Sequence, residues 1–175
     1  WRVAGQPYLQ AISDRIGNTN SYYCDRAPRF RWTRSWSATE LDAVVSQYLK
    51  AYSATAVPGG GPGTGRHAAV SGRTKSGRAA AMDVETTRGA YAVRGDDIRY
   101  VLRTSSGETL PSTYFSVEPE YGEDGLLKKI TARGQGYGHG IGMCQWGALG
   151  RARAGHSFRQ ILSTYYPGTT VGPIQ

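Results

Sequence analysis

Between residues 37 and 135 the spacing of apolar residues changes period, and this limits the folds open to the chain. Ser37-Ala38-Thr39-Glu40 has the form of a capping box, with Ser and Glu each able to satisfy a free backbone N–H of a helix start. Leu41, Val44, Val45, Tyr48, Leu49 and Tyr52 follow at helical spacing, which predicts an amphipathic helix over residues 38–52. Pro58-Gly59-Gly60-Gly61-Pro62-Gly63 then reads as a loop, too short for an interdomain linker. Beyond it the period is two. Segments 66–73, 78–86 and 90–94 are predicted strands, joined by turns at Ser76-Gly77 and Arg88-Gly89. A short helix from Gly95 to about Leu102 buries Ile98, Val101 and Leu102, and two more strands are expected at 113–118 and 126–133. The pattern predicts an α+β fold: a mostly antiparallel sheet with three or four short helices packed against it.

The flanking segments carry different signals. Residues 1–36 read as irregular, with aromatic residues interleaved with Arg26, Arg29, Arg31 and Arg34, although the alternation around Phe30, Trp32 and Arg34 also suits a short strand. Toward the other end, Met143 to Ala152 reads as a helix rich in small residues, with Gly155 placed to end it. Ser157-Phe158-Arg159-Gln160 is a second capping box. It opens a final helix whose apolar face is Phe158, Ile161, Leu162 and Tyr165, stopped by Pro167-Gly168.

The net charge is +8, and 17 of the 21 basic residues are Arg. Such a surface favours polyanions. The charge is dispersed, however, and no nucleic-acid-binding signature is present, so a nucleic-acid partner is not expected. No apolar run approaches the length that spans a bilayer. Twelve tyrosines supply rings that keep a hydroxyl available, which suits both the rim of a core and a groove for polar ligands.

The densest concentration of unusual residues is Gly134 to Ala148. Glycines at 136, 138, 140 and 142 alternate with other residues, and His139 sits among them. Glycine permits backbone conformations closed to other residues and close approach of a ligand. With Gln145 on the next helix turn and Trp146 beside it, the segment can offer an imidazole, an amide and free N–H groups to a polar, uncharged ligand such as a sugar. The pattern matches neither a phosphate-binding loop nor a dinucleotide fingerprint.

Cys24 and Cys144 are far apart in sequence and outside any CxxC pair. A disulfide, two free buried thiols and a metal site are the readings open to them. The metal reading requires Cys24, His139 and Cys144 to converge with His67 or His156, and no spacing rule supports it. Among the carboxylates, Glu40, Asp96, Asp97, Glu120, Glu123 and Asp124 fall at caps and turns, Asp83 and Glu85 share a strand face, and Asp25 follows Cys24. None of them stands out as the general acid that glycoside cleavage requires.

Gly138-His139-Gly140-Ile141-Gly142-Met143-Cys144-Gln145-Trp146-Gly147-Ala148, followed by Gly155, Ile161-Leu162 and Tyr165-Tyr166-Pro167-Gly168-Thr169, resembles the terminal signature of the SpoIID/LytB family. Pro7-Tyr8-Leu9, Tyr23-Cys24-Asp25, Phe30-Arg31-Trp32, Ser71-Gly72-Arg73, Gly95-Asp96-Asp97-Ile98-Arg99 and Leu110-Pro111-Ser112 with Phe115 extend the resemblance along almost the whole chain. It implies that residues 1–175 are the carboxyl-terminal portion of one SpoIID/LytB-like domain, in the extracytoplasmic envelope, working on peptidoglycan glycan strands. The family includes proteins similar to lytic transglycosylases, which leave 1,6-anhydro ends, and proteins that enhance cell-wall amidases. The essential glutamate that the resemblance implies lies before the Pro-Tyr-Leu region, so no catalytic residue is assigned within this chain, and a start at Trp1 instead of Met reads as a piece of something longer. The expected partners are glycan strands, a cell-wall amidase and the amino-terminal part of the same protein. No cofactor and no metal are expected. The resemblance makes His139, Gln145 and Tyr137, with Arg99 after them, the residues expected to contact glycan.

Overall fold

The computed structural model describes residues 6–172, so the first five residues of the segment read as irregular lie outside them. The described chain forms two compact units. Residues 31–139 make one; residues up to 30 and from 140 onward make the other, so the second unit is assembled from two segments distant in sequence.

The continuous unit holds six strands and two helices. Strand β1 (Arg31–Ser37) runs directly into helix α1 (Ala38–Tyr52). Strands β2 (Gly65–Arg73), β3 (Ala79–Thr86) and β4 (Gly89–Arg94) follow, then helix α2 (Asp97–Val101), β5 (Phe115–Tyr121) and β6 (Leu127–Gln135). The strands form two three-stranded antiparallel sheets, β2-β3-β4 in chain order and β1-β6-β5 with β6 central. The α+β expectation is met, with the predicted meander supplying one sheet and the alternation around Trp32 supplying β1 of the other.

The junction from β1 to α1 is set by its cap. The Ser37 hydroxyl accepts from the Glu40 N–H, and the Ser37 N–H donates to the Glu40 carboxylate at 2.9 Å. That bond, with the Ser37 hydroxyl adding to it, holds the Glu40 carboxyl below its ordinary range. Helix α1 buries Leu41, Val44, Val45 and Leu49 and touches both sheets and α2. Each such side chain contributes about 1.5–3 kcal/mol by leaving water. Trp36 and Ile130, paired across β1 and β6, lie in the same core with Met82, Val84, Ile98, Leu102 and Leu110. The buried Trp36 indole donates to the Arg103 carbonyl at 2.6 Å, so its one polar atom is satisfied.

The discontinuous unit contains α3 (Gln145–Arg153) and α4 (Phe158–Tyr165), with turns over residues 17–30 and an isolated bridge between Arg15 and Tyr22. The second predicted capping box forms: Ser157 accepts from the Gln160 N–H and its own N–H donates to the Gln160 side chain. Among the described residues no helix is long and apolar enough to cross a membrane.

Candidate functional site

At one end of the β1-β6-β5 sheet is an open groove of about 910 Å3. Trp32 of β1, Phe115 of β5 and Tyr114 just before it give the groove aromatic walls. Arg31, Arg73 and Arg133 give it positive charge. The Arg73 guanidinium donates to the carbonyls of Gly77 at 2.8 Å and Phe115 at 3.0 Å, while Arg133 pairs with Glu118 at 3.0 Å. Tyr114 is partly exposed, at 39%.

The groove depends on one missing side chain. Gly134 pairs with both Trp32 and Phe115 across the sheet, and any Cβ there would overlap the Trp32 ring. Glycine leaves room for the indole beside the strand backbone, its ring centroid 6.1 Å from that of Phe115.

The segment after β6 is then tied down by its backbone. The Trp32 indole donates to the Gly136 carbonyl at 3.1 Å and the buried Ser112 hydroxyl donates to the Gln135 carbonyl at 2.6 Å. The Gly138 N–H donates to the Pro111 carbonyl at 2.8 Å, and Arg78 donates to the Gly138 carbonyl at 3.4 Å. Gly136 and Gly138 have φ of 72° and 97°, and Gly140 and Gly142 further on have 77° and 83°. All four alternating glycines therefore occupy the left-handed region that other residues rarely enter. With the backbone so engaged, the intervening residues are left at the surface: Tyr137 is 66% exposed and His139 is exposed.

These two expected contact residues come after Gln135, the last residue that lines the groove, and are not themselves among its lining. Gln145 is exposed as the first residue of α3, in the discontinuous unit. Arg99 sits differently. Only 9% exposed, it donates to the Leu110 carbonyl at 2.7 Å and pairs with Asp96 at 3.2 Å, holding the chain after α2 in place. Trp32 and Arg73 fall in family-like motifs and Tyr114 and Arg133 do not, and a groove wall drawn from four strands and a turn has no linear pattern.

The discontinuous unit carries a second cluster, around Asp14. Arg151 of α3 donates to Asp14 Oδ1 at 3.3 Å and to the Ser13 carbonyl at 3.1 Å, and the Tyr165 hydroxyl of α4 donates to the same Oδ1 at 2.5 Å. The ion pair is buried, its side chains 9% and 8% exposed. The Arg151 guanidinium also lies over the Tyr23 ring, 4.4 Å from its centroid. Burial is the main reason that the Tyr165 hydroxyl is pushed up from its usual range, and its bond to Asp14 adds to the shift. Burial opposes the charge of Arg151, yet Tyr165 and Asp14 together raise its pKa. Gly147 is required here because a Cβ would collide with the Asp14 carboxylate and the Tyr165 hydroxyl. Cys24 and Cys144 are free thiols whose sulfurs, with a carboxylate oxygen of Asp14, all lie within 4.8 Å of one another. Cys24 is half-buried and Cys144 is exposed. The third potential ligand beside them is thus Asp14, a residue that nothing in its local sequence marks out.

Comparison with known proteins shows the family. The chain belongs to the family described as a domain of unknown function (DUF8618), whose model matches residues 9–142, and it is SpoIID/LytB-like. An amidase enhancer of Bacillus subtilis is 51% identical over 71 residues, 40% of this chain and 9% of that protein. An uncharacterized protein of Brachyspira hyodysenteriae is 30% identical over 140 residues, 80% of this chain and 32% of that protein. Stage II sporulation protein D of Bacillus subtilis is 26% identical over 167 residues, 94% of this chain and 38% of that protein. The chain therefore spans less than half the length of these curated relatives.

Proposed function

We propose that this chain is the glycan-holding portion of an extracytoplasmic, SpoIID/LytB-like cell-wall protein. In this reading it forms the carboxyl-terminal part of a lytic transglycosylase domain whose catalytic glutamate is supplied from an amino-terminal part of the same protein. The observation that carries the reading is the groove at the end of the β1-β6-β5 sheet. Aromatic faces pack against the apolar faces of sugar rings, and guanidinium groups bind the carboxylates that muramic acid residues carry. Tyr114, 39% exposed, offers such a face over the buried rings of Trp32 and Phe115, three arginines surround it, and Tyr137 and His139 follow the groove's wall strand. The adjacent carboxylate, Glu118, is 55% exposed and paired with Arg133. It lacks the apolar burial that fits a carboxyl for acid–base work on a glycoside, which agrees with a chain that holds substrate and takes its acid from elsewhere.

A second reading is favoured by one specific observation, the 51% identity to an amidase enhancer. On that reading the same groove holds glycan while the parent protein stimulates a cell-wall amidase and cleaves nothing. Peptide-stripped sacculi incubated with the full-length parent separate the two. Anhydro-ended products that vanish when the upstream glutamate is replaced by Gln support the transglycosylase. Binding without such products leaves the enhancer reading.

A further inference from the structure

The two cysteines lie 120 positions apart in sequence and meet in space inside the discontinuous unit. Their surroundings are unequal. Cys144 is exposed and caps the N-terminus of α3, where its sulfur accepts the Gly147 N–H at 3.3 Å. Cys24 is half-buried in the turn that precedes the other unit. The two sulfurs lie within 4.8 Å of each other. Hydrogen bonding by the Cys24 thiol holds Cys144 down at about 7 against the opposing effect of burial, with help from the Gly147 N–H. The same bond and burial push Cys24 well up. The pair therefore has an exposed residue whose thiol ionises readily and a half-buried one that keeps its proton. Thiol–disulfide exchange uses such a division between attacking and resolving thiols.

We propose that Cys24 and Cys144 form a dithiol–disulfide redox site, with Cys144 as the attacking thiol and Cys24 as the resolving one. The oxidant is another disulfide, small or carried by a thiol oxidoreductase. Cys144 loses its proton and attacks one sulfur of that disulfide. The S–S bond breaks, a mixed disulfide forms on Cys144, and the first thiolate leaves. Cys24 then loses its proton and attacks Cys144 Sγ, expelling the second thiolate. The two leaving thiolates take up the two protons. Two protein thiols are oxidised to one disulfide, and the incoming disulfide is reduced to two thiols. The sulfurs already lie within 4.8 Å, and the bond requires them at about 2 Å.

The site has a structural consequence. Cys24 belongs to the segment ending at residue 30 and Cys144 to the one starting at residue 140, and these two segments alone build the unit. The bond therefore covalently joins its halves. A cation is a poorer occupant. Asp14 Oδ1 already receives Arg151 and Tyr165, and the guanidinium 3.3 Å away repels a metal ion.

The test uses the full chain, reduced and freed of metal, with oxidised glutathione as probe. Wild type is expected to lose both titratable thiols and two hydrogens of mass, with no adduct retained. Cys24→Ser is expected to stop as a glutathione adduct on Cys144, and Cys144→Ser to react at least about tenfold more slowly than Cys24→Ser. Two thiols surviving in wild type, stable adducts on both cysteines, or equal rates in the two variants would overturn the proposal. So would stoichiometric binding of zinc alone that shields both thiols from glutathione. The wild-type thiol count decides the matter even if a variant folds poorly.

Discussion

Trp32 donates its indole N–H to the Gly136 carbonyl at 3.1 Å while its ring occupies the space left by the absent side chain of Gly134. One side chain thus floors the groove and fixes the first residue of the glycine-rich segment. The segment that presents Tyr137 and His139 is consequently held by the same residue that gives the groove an aromatic wall.

Gly134→Ala should therefore cost stability and flatten the groove together. The added methyl overpacks a filled space, a change worth about 1–3 kcal/mol. Chemical denaturation of both forms measures it. A loss below about 0.5 kcal/mol would mean that the indole moves aside freely.

Asp14→Ala should be among the most damaging single changes in the discontinuous unit. It strands the buried Arg151 guanidinium and removes the acceptor of Tyr165, and breaking a buried pair from one side costs about 3–5 kcal/mol. Replacing Asp14 and Arg151 together by apolar residues should cost less than Asp14→Ala alone. A double-mutant cycle read by thermal unfolding checks the sign.

Alkylation of Cys144 should accelerate with a midpoint at about pH 7, because the thiolate is favoured by the Cys24 hydrogen bond. Charged and titratable groups around it are Asp14 and Cys24, with Arg151 and Tyr165 bonded to Asp14. In Cys24→Ala the donor is gone and the midpoint should move up toward the ordinary thiol range. An unchanged midpoint would show that the helix N-terminus alone sets it.

Closing the Cys24–Cys144 bond should also raise the melting temperature. A loop of more than 100 residues removed from the unfolded ensemble is worth about 4–5 kcal/mol before strain is subtracted. Calorimetry of the oxidised and reduced chain should show a rise of several degrees, abolished by reductant.

Much of the fold was legible because local rules decide it. The capping boxes at Ser37 and Ser157 form as their spacing requires, and α1 runs from Ala38 to Tyr52 as its apolar period predicts. The strands of the meander fall within a residue or so of their expected bounds. Strand β1 was only half visible, because its aromatic and Arg-rich sequence alternates in the midst of turns and gains its partner from β6, nearly a hundred residues on. The site was less legible still. The alternating glycines marked the segment at 136–142, and all four have the positive φ that explains them. The groove beside it was invisible because its walls come from β1, β2, β5, β6 and the β2–β3 turn. Arg99 lay within a family-like motif, and sequence could not reveal that its guanidinium is bound to Asp96 and the Leu110 carbonyl. Asp14 escaped notice since its partners, Arg151 and Tyr165, lie more than 130 residues away.

Titration of peptide-free glycan strands into the chain tests the glycan-holding groove most directly. Wild type should bind, Tyr114→Ala should bind at least about tenfold more weakly, and Phe158→Ala, an exposed aromatic on α4, should bind like wild type. Equal binding by wild type and Tyr114→Ala, or no binding by the wild-type chain, would contradict the account.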